Sequence, residues 1–320
     1  MFGVSKADVV SYLKDCRDNS GFGLVDDPRE IWPYTNEYGS GFAYGTDFDT
    51  YVSRNNLHWE GDWCKETIWG VHFSYVYTSG NQVNRLCEYM GLRNTASAPN
   101  ALCYPYGIGY TNGTVNSKMV EAWYKDPDYG PADKRFYGSL MAARNANEVY
   151  DWFKDGFVEI PEFKGDNAKE VERTLFYPKK YIATACYTDG TKSSMYNNFF
   201  HAINSAVSDS NNGLMNDAIY IRFADVLLML DELKGTVTGM NRLRARAGLK
   251  PYDSYTFERL QKERRYELAF EGMRFDDLRR WYPETAGEII QKNQDGGYVE
   301  FKGNVVPDGY REMPGRSISQ

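Results

Sequence analysis

The stretch Glu263–Trp281, ERRYELAFEGMRFDDLRRW, concentrates ionisable groups of both signs. Glu263, Glu267 and Glu271 recur every four residues, Arg264 and Arg265 lie among them, and Arg274, Arg279 and Arg280 follow. On a helix the three glutamates form one row. Tyr266, Ala269, Phe270 and Met273 then form an adjacent apolar stripe. Paired carboxylates in unlike environments can serve as general acid and base. Arginine forks also pair with carboxylates where water is scarce, and structural ion-pair networks are a common origin of such clusters. The second reading makes Glu263, Glu267, Glu271, Arg274, Arg279 and Arg280 one structural network, with the arginines reaching back to the glutamate row after a turn near Gly272. It predicts that Glu267→Ala or Arg274→Ala lowers stability and leaves ligand affinity alone.

Other chemistries find little support. Asp47 and Asp49 stand two apart, and Asp209, Asn211, Asn212 and Asp217 gather in SDSNNGLMND. Neither set follows the twelve-residue calcium-loop spacing, and Asx-rich turns account for both. No catalytic residue, metal site or cofactor is therefore assigned, and a structural calcium is unsupported by ligand spacing. His58, His72 and His201 are far apart, and Cys16, Cys64, Cys87, Cys103 and Cys186 contain no C-x-x-C pair. A zinc site and a dense disulfide framework are thus not expected, while one or two disulfides stay open. There is no G-x-S-x-G, no phosphate loop and no G-x-G-x-x-G after a strand. These absences point away from an enzyme.

The 320 residues suffice for a sizeable core, and the net charge of −7 argues against a nucleic-acid partner. No run of 18 apolar residues is present to cross a membrane as a helix. With 26 Tyr, 17 Phe and 7 Trp, aromatics make up 16% of the chain, which suits either a recognition surface or a tyrosine-rich core. Trp32, Tyr34, Tyr38 and Tyr44 occupy one Gly-rich stretch, and Tyr104, Tyr106 and Tyr110 occupy another. On loops, such rings can stack on the apolar faces of sugars while Asn and Asp supply hydrogen bonds. They are the ligand-binding candidates.

The elements that must position these groups follow from periodicity and caps. Residues 4–13 read as an amphipathic helix, ETIWGVHFSYVY as a strand, and NSKMVEAWYKD as a short capped helix. DYGPADKRFYGSLM reads as a turn followed by extended chain, and RTLFYPKKYIAT as extended. From about 214 the pattern turns helical. Ile219, Phe223, Val226, Leu227 and Leu230 sit at helical spacing, GMNRLRARAGL ends at Gly248, and a third helix is capped by Thr256. Short links imply antiparallel helix pairs. The expected fold is mainly α with a minor α+β component, as one domain over 1–320. It comprises an irregular aromatic region over about 30–213, a helical scaffold over 214–281 and an irregular tail over 282–320.

YIRFADVLLMLDE, NRLRARAGL and ERRYELAFEGMRFDDLRRW together resemble the SusD/RagB family, with looser agreement at SGFGLV, KETIWGVHF, NSKMVEAW and ADKRF. The resemblance implies tetratricopeptide-like helix pairs supporting a loop-rich ligand face. It also implies a nutrient-binding surface lipoprotein that captures oligosaccharide or polysaccharide and caps a TonB-dependent, SusC-like outer-membrane barrel. The glutamate–arginine stretch then belongs to the scaffold. The family's signal peptide, lipidated cysteine and first helix pairs would lie upstream, so Cys16 is not read as the lipid site. A glycan-binding component on the extracellular face of the outer membrane is the leading expectation. The alternative is a helix-repeat adaptor for protein or peptide. A glycan-cleaving enzyme comes third, since no carboxylate pair stands out.

Overall fold

A computed structural model describes residues 3–35, 51–73, 84–90, 92–93, 108–109, 115–143, 146–153, 174–182, 185–187, 195–197 and 216–294. Helix α1 (Lys6–Asn19) opens with a reciprocal capping box between Ser5 and Asp8. It lies along α7 (Phe223–Lys234). A left-handed Gly235 ends α7, and α8 (Thr238–Arg246) folds back on it. The two helices close tightly because Gly239 has no side chain: a Cβ there would stand 2.6 Å from the Leu227 carbonyl oxygen. Thr256 caps α9 (Phe257–Glu267) by accepting from the Arg259 amide. Phe270 and Gly272, both at positive φ, then turn the chain into α10 (Met273–Trp281). A further helix, α11 (Ala286–Gln294), lies in the stretch that the sequence pattern left irregular.

The remaining elements are short. They include α2 (Tyr51–Arg54), α3 (Arg85–Met90), α4 (Ser117–Tyr124), α5 (Lys134–Ser139) and α6 (Ala146–Val149). Asn116 caps α4. Asp133 caps α5 through the Arg135 amide, so KRFYGS is a helix and only Leu140 onward is extended. The strands pair two by two. β1 (Thr67–Val71) runs antiparallel to β8 (Ala218–Arg222), and β2 (Leu92–Arg93) parallel to β3 (Ile108–Gly109). β4 (Leu140–Ala142) pairs with β5 (Phe176–Pro178), and β6 (Ala185–Tyr187) with β7 (Met195–Asn197). Ile219 thus lies in a strand, not in the helix its spacing suggested. Ala218–Arg222 pairs with Thr67–Val71 as a β-ladder, exposed only at its centre, and α7 starts only at Phe223. This mainly α architecture with minor strands is the expected fold class.

Among the described residues, many of the aromatics fill the interior. Trp123 is fully buried and stacks on Tyr266 at 4.6 Å between ring centroids, while Phe136 meets it edge-on. Its indole Nε1–H donates to Asp133 Oδ2. Tyr150, Trp152, Phe153 and Phe176 form a second group of contacting rings. Such pairs add about 0.5–1.5 kcal/mol each beyond their area. Cys16 and Cys64 are free thiols.

Candidate functional site

The glutamate row lies inside the molecule. Glu263, Glu267 and Glu271 project from α9 and the turn after it toward cations drawn from distant parts of the chain. Arg135 of α5 bridges Glu263 at 2.6 Å and Glu267 at 2.7 Å, and its other face pairs with Asp133. Arg222, at the end of β8, reaches Glu66, Glu267 and Glu271, each at 2.7 Å. Arg246 of α8 joins Glu66 and Glu267, and Lys180 joins Glu271 at 2.6 Å. Tyr129 donates its hydroxyl to Glu263, and Arg244 stands 3.5 Å from the same carboxylate. Five acids (Glu66, Asp133, Glu263, Glu267, Glu271) therefore meet five bases (Arg135, Lys180, Arg222, Arg244, Arg246).

Burial raises Glu263, and Arg135 only partly opposes it. Burial acts on Glu267 too, but Arg246, Arg222, Arg135 and Lys180 hold it well below the usual carboxylate range. Glu271 is lowered by Arg222 and Lys180 against the same burial. Two carboxylates pushed apart in this way could suggest acid–base chemistry. The cavity beside Glu267 and Arg222 has a volume of only about 10 Å³, room for a single water. No substrate fits there, and the row ties α5, α8, α9 and β8 together.

Three arginines expected in this network lie elsewhere. Arg280 forks onto Glu232 of α7 and pairs with Asp277 of its own helix. Arg279 is exposed and lies over the Phe275 ring. Arg274 has no ion pair among the described residues. The positive-φ turn at Phe270 and Gly272 is the reason, since it carries the α10 cations away from the glutamate row. The row draws its cations instead from strands and helices remote in sequence.

The expected ring platform also needs correction at two positions. Trp32 is 2% exposed and Tyr34 fully buried, in and beside a 3-10 turn at Pro33–Thr35. Trp32 packs edge-on against Tyr181 and lies over the Lys180 ammonium, and the Lys179 ammonium lies over Tyr34 and Tyr51. These rings serve as apolar and π partners for two buried lysines. Tyr38, Tyr44, Tyr104, Tyr106 and Tyr110 lie outside the described residues, as do Asp47, Asp49, Asp209, Asn211 and Asn212.

The exposed aromatic edge forms on the β1/β8 sheet. Trp69 and Tyr220 are 57% and 51% exposed, with ring centroids 5.3 Å apart. Register irregularities at Thr67–Gly70 bring the two rings together across the ladder. Gly70 permits the close pairing, because a Cβ there would stand 2.8 Å from the Ala218 carbonyl oxygen. At the far end of the ladder, about 10 Å along the strand from Trp69, His72 meets Asp217 at 2.7 Å. Trp63, 52% exposed and held at positive φ, points its indole Nε1 at the same His72 Nδ1 from 3.2 Å. One nitrogen cannot serve both groups. With its proton on Nδ1, His72 donates to Asp217, and the indole N–H is released for another acceptor.

Asp217 also donates its backbone N–H to Asp62 at 2.8 Å. Burial, with the nearby Asp217 charge adding to it, pushes Asp62 up to about 6 against the amide hydrogen bond. Asp217 is raised by burial against His72, and its Oδ2 is buried without a hydrogen-bond partner among the described residues. The edge thus offers exposed rings, an indole N–H that His72 can release and a half-buried carboxyl that titrates near pH 6, with the unpartnered Asp217 oxygen buried beneath them. Sequence reasoning passed over Trp63, Trp69, Tyr220 and the Asp62–Asp217–His72 cluster. The available signal was the β-branched and aromatic content of TIWGV and AIYIR, which marks two strands with a ring at the centre of each.

The fold and this edge define a helix-pair scaffold that presents an aromatic, carboxylate-bearing sheet at its surface. The SusD family model matches residues 65–313, and the chain belongs to that family. Among solved structures the chain is similar to a laminarin binding SusD-like protein, with 19% identity and a TM-score of 0.56 over 94% of this chain and 54% of that one. It is similar to the surface glycan-binding protein A from Bacteroides thetaiotaomicron in complex with laminarihexaose, with 17% identity and a TM-score of 0.53 over 98% of this chain and 58% of that one. A structure with xylogluco-oligosaccharide matches with 16% identity and a TM-score of 0.54 over 90% of this chain and 49% of that one. At these identities the likeness is one of fold. The chain spans about half the length of these structures. No curated protein matches it.

Proposed function

We propose that the protein captures glycan at the cell surface, as the SusD-like partner of a TonB-dependent SusC-like barrel in the outer membrane. A lipid anchor would hold it on the extracellular face. The observation that carries the reading is the exposed Trp69–Tyr220 pair on a sheet whose end bears Trp63, His72 and Asp217. Sugar rings present apolar C–H faces ringed by hydroxyls. Adjacent rings stack on the first, while an indole N–H and carboxylates take the second. Tyr38, Tyr44, Tyr104, Tyr106 and Tyr110 remain further candidates for the same face. Names of structurally similar proteins support β-glucans and xyloglucan as first ligands.

Isothermal titration with laminarihexaose, xylogluco-oligosaccharides and a panel of host and microbial glycans tests the proposal. Saturable binding to at least one is expected, weakened about tenfold by Trp69→Ala, with stability within about 0.5 kcal/mol of wild type. No binding across the panel, together with capture of a defined peptide, would replace glycan by peptide as the ligand. Full affinity in Trp69→Ala and Tyr220→Ala would move the site off this edge.

A further inference from the structure

A cavity of about 440 Å³ opens between α4, α9, α10 and α11, on residues that neither the glutamate row nor the aromatic edge uses. Much of its wall is apolar, with Met119, Phe270, Met273 and Ile290 among the lining side chains. Four polar residues on the wall are already engaged. Arg264 pairs with Asp225 and Asp277, and Asp277 also pairs with Arg280. Asn116 caps α4 and donates to the Asn293 carbonyl, and the Asn293 amide donates to Ile289. Arg265 and Arg274 remain, and neither has an ion pair or hydrogen bond among the described residues.

Two guanidiniums on one largely apolar wall are unfavourable as they stand. Arg274 is lowered first by burial and then by the Arg265 charge. Arginine does not lose its proton at these shifts, so the cost persists as desolvation and repulsion until an anion arrives. The wall offers few free groups to satisfy the hydroxyls of a sugar. Its chemistry fits a ligand with one anionic head and an aliphatic body.

We propose that this cavity binds a small amphiphilic carboxylate, its head held between Arg265 and Arg274 and its body against the methionine-bearing wall. The probe is octanoate, with octan-1-ol lacking the charge and acetate lacking the body. Calorimetry at low salt should give saturable one-to-one binding of octanoate and a raised Tm. Each comparator should bind at least about tenfold more weakly. Arg274→Gln and Arg265→Gln should each weaken octanoate about tenfold or more. Arg274→Gln should also raise the Tm of the unliganded protein, because it removes a half-buried repulsive charge, and a merely structural arginine would lower it. Failure of octanoate to saturate, equal binding of octanol, or unchanged octanoate affinity in both variants would overturn the proposal. Should Arg274→Gln fail to fold, Arg265→Gln alone decides.

Discussion

Glu267 and Asp62 are carboxylates at opposite ends of one short sheet, and their surroundings push them in opposite directions. Glu267 sits where β8 ends in Arg222, fully buried and ringed by Arg135, Arg222, Arg246 and Lys180, and stays ionised far into acid. Asp62 sits where β8 begins, beside another acid, and takes up a proton near pH 6. Burial acts on both. The number of cations within reach decides the sign. At the inner end every carboxylate is paired and the space is closed, although Arg244 Nη1 and Arg246 Nε are buried without a hydrogen-bond partner among the described residues. At the outer end rings are bare, one nitrogen is contested, and a buried carboxylate oxygen lacks a partner. The same β-ladder therefore joins a region whose chemistry is used up in holding the fold to one whose chemistry is still free.

The largest expected effect breaks the inner end. Glu267→Gln keeps the shape and removes the charge that three arginines share, leaving buried cations short of an anion. A loss of about 3–5 kcal/mol is expected, read from urea unfolding. The proposed glycan affinity, measured on the folded fraction, should not change. An affinity loss with stability intact would place Glu267 in the binding machinery and erase the contrast.

A smaller effect sharpens the outer end. The folded Asp62 binds its proton more tightly than an unfolded aspartate, whose pKa is about 3.9. Its contribution to stability is therefore full below about 3.9, and it is lost as pH rises through about 6. Asp62→Asn, neutral at every pH, should raise the Tm at pH 7 and change it little at pH 4. Glu267 and Glu271 run the other way: their contribution holds above the unfolded value of about 4.3 and fails only as acid reaches their lowered folded values. A Tm difference between Asp62→Asn and wild type that stays flat from pH 4 to 7 would count against the raised pKa.

How much of this could be read in advance follows from the range of each interaction. The caps at Asn116 and Thr256 and the short-linked helices were legible because a helix is specified by neighbours three and four residues away. That the glutamates form one row was legible for the same reason. Their partners were not, because Arg135 and Arg222 reach Glu267 across 132 and 45 residues of chain. Sequence proximity instead pointed to Arg274, Arg279 and Arg280, which two positive-φ residues turn away. Trp32 looked like a loop ring, since nothing local records that a lysine from residue 180 will lie against it. Trp69 and Tyr220 stand at the centres of two segments marked as strands by their β-branched and aromatic residues. AIYIR runs straight into a strong helix, and the helical period masked the strand.

The smallest expected effect tests whether charge alone marks the scaffold. Arg280 has as many carboxylate partners as Arg246 of the inner network, with a fork onto Glu232 and a bond to Asp277. Its side chain is 41% exposed, however, against 2% for Arg222. Water and salt screen such a pair, and holding two long side chains costs entropy. Arg280→Ala should therefore lose at most about 1 kcal/mol, with part of that disappearing in high salt. Arg222→Ala removes one cationic partner from each of three buried carboxylates with little water to replace it, and should lose several times as much with little salt dependence. Equal losses for the two variants would mean that burial does not separate working ion pairs from ornamental ones in this fold, and the inner end of the sheet would lose its special standing.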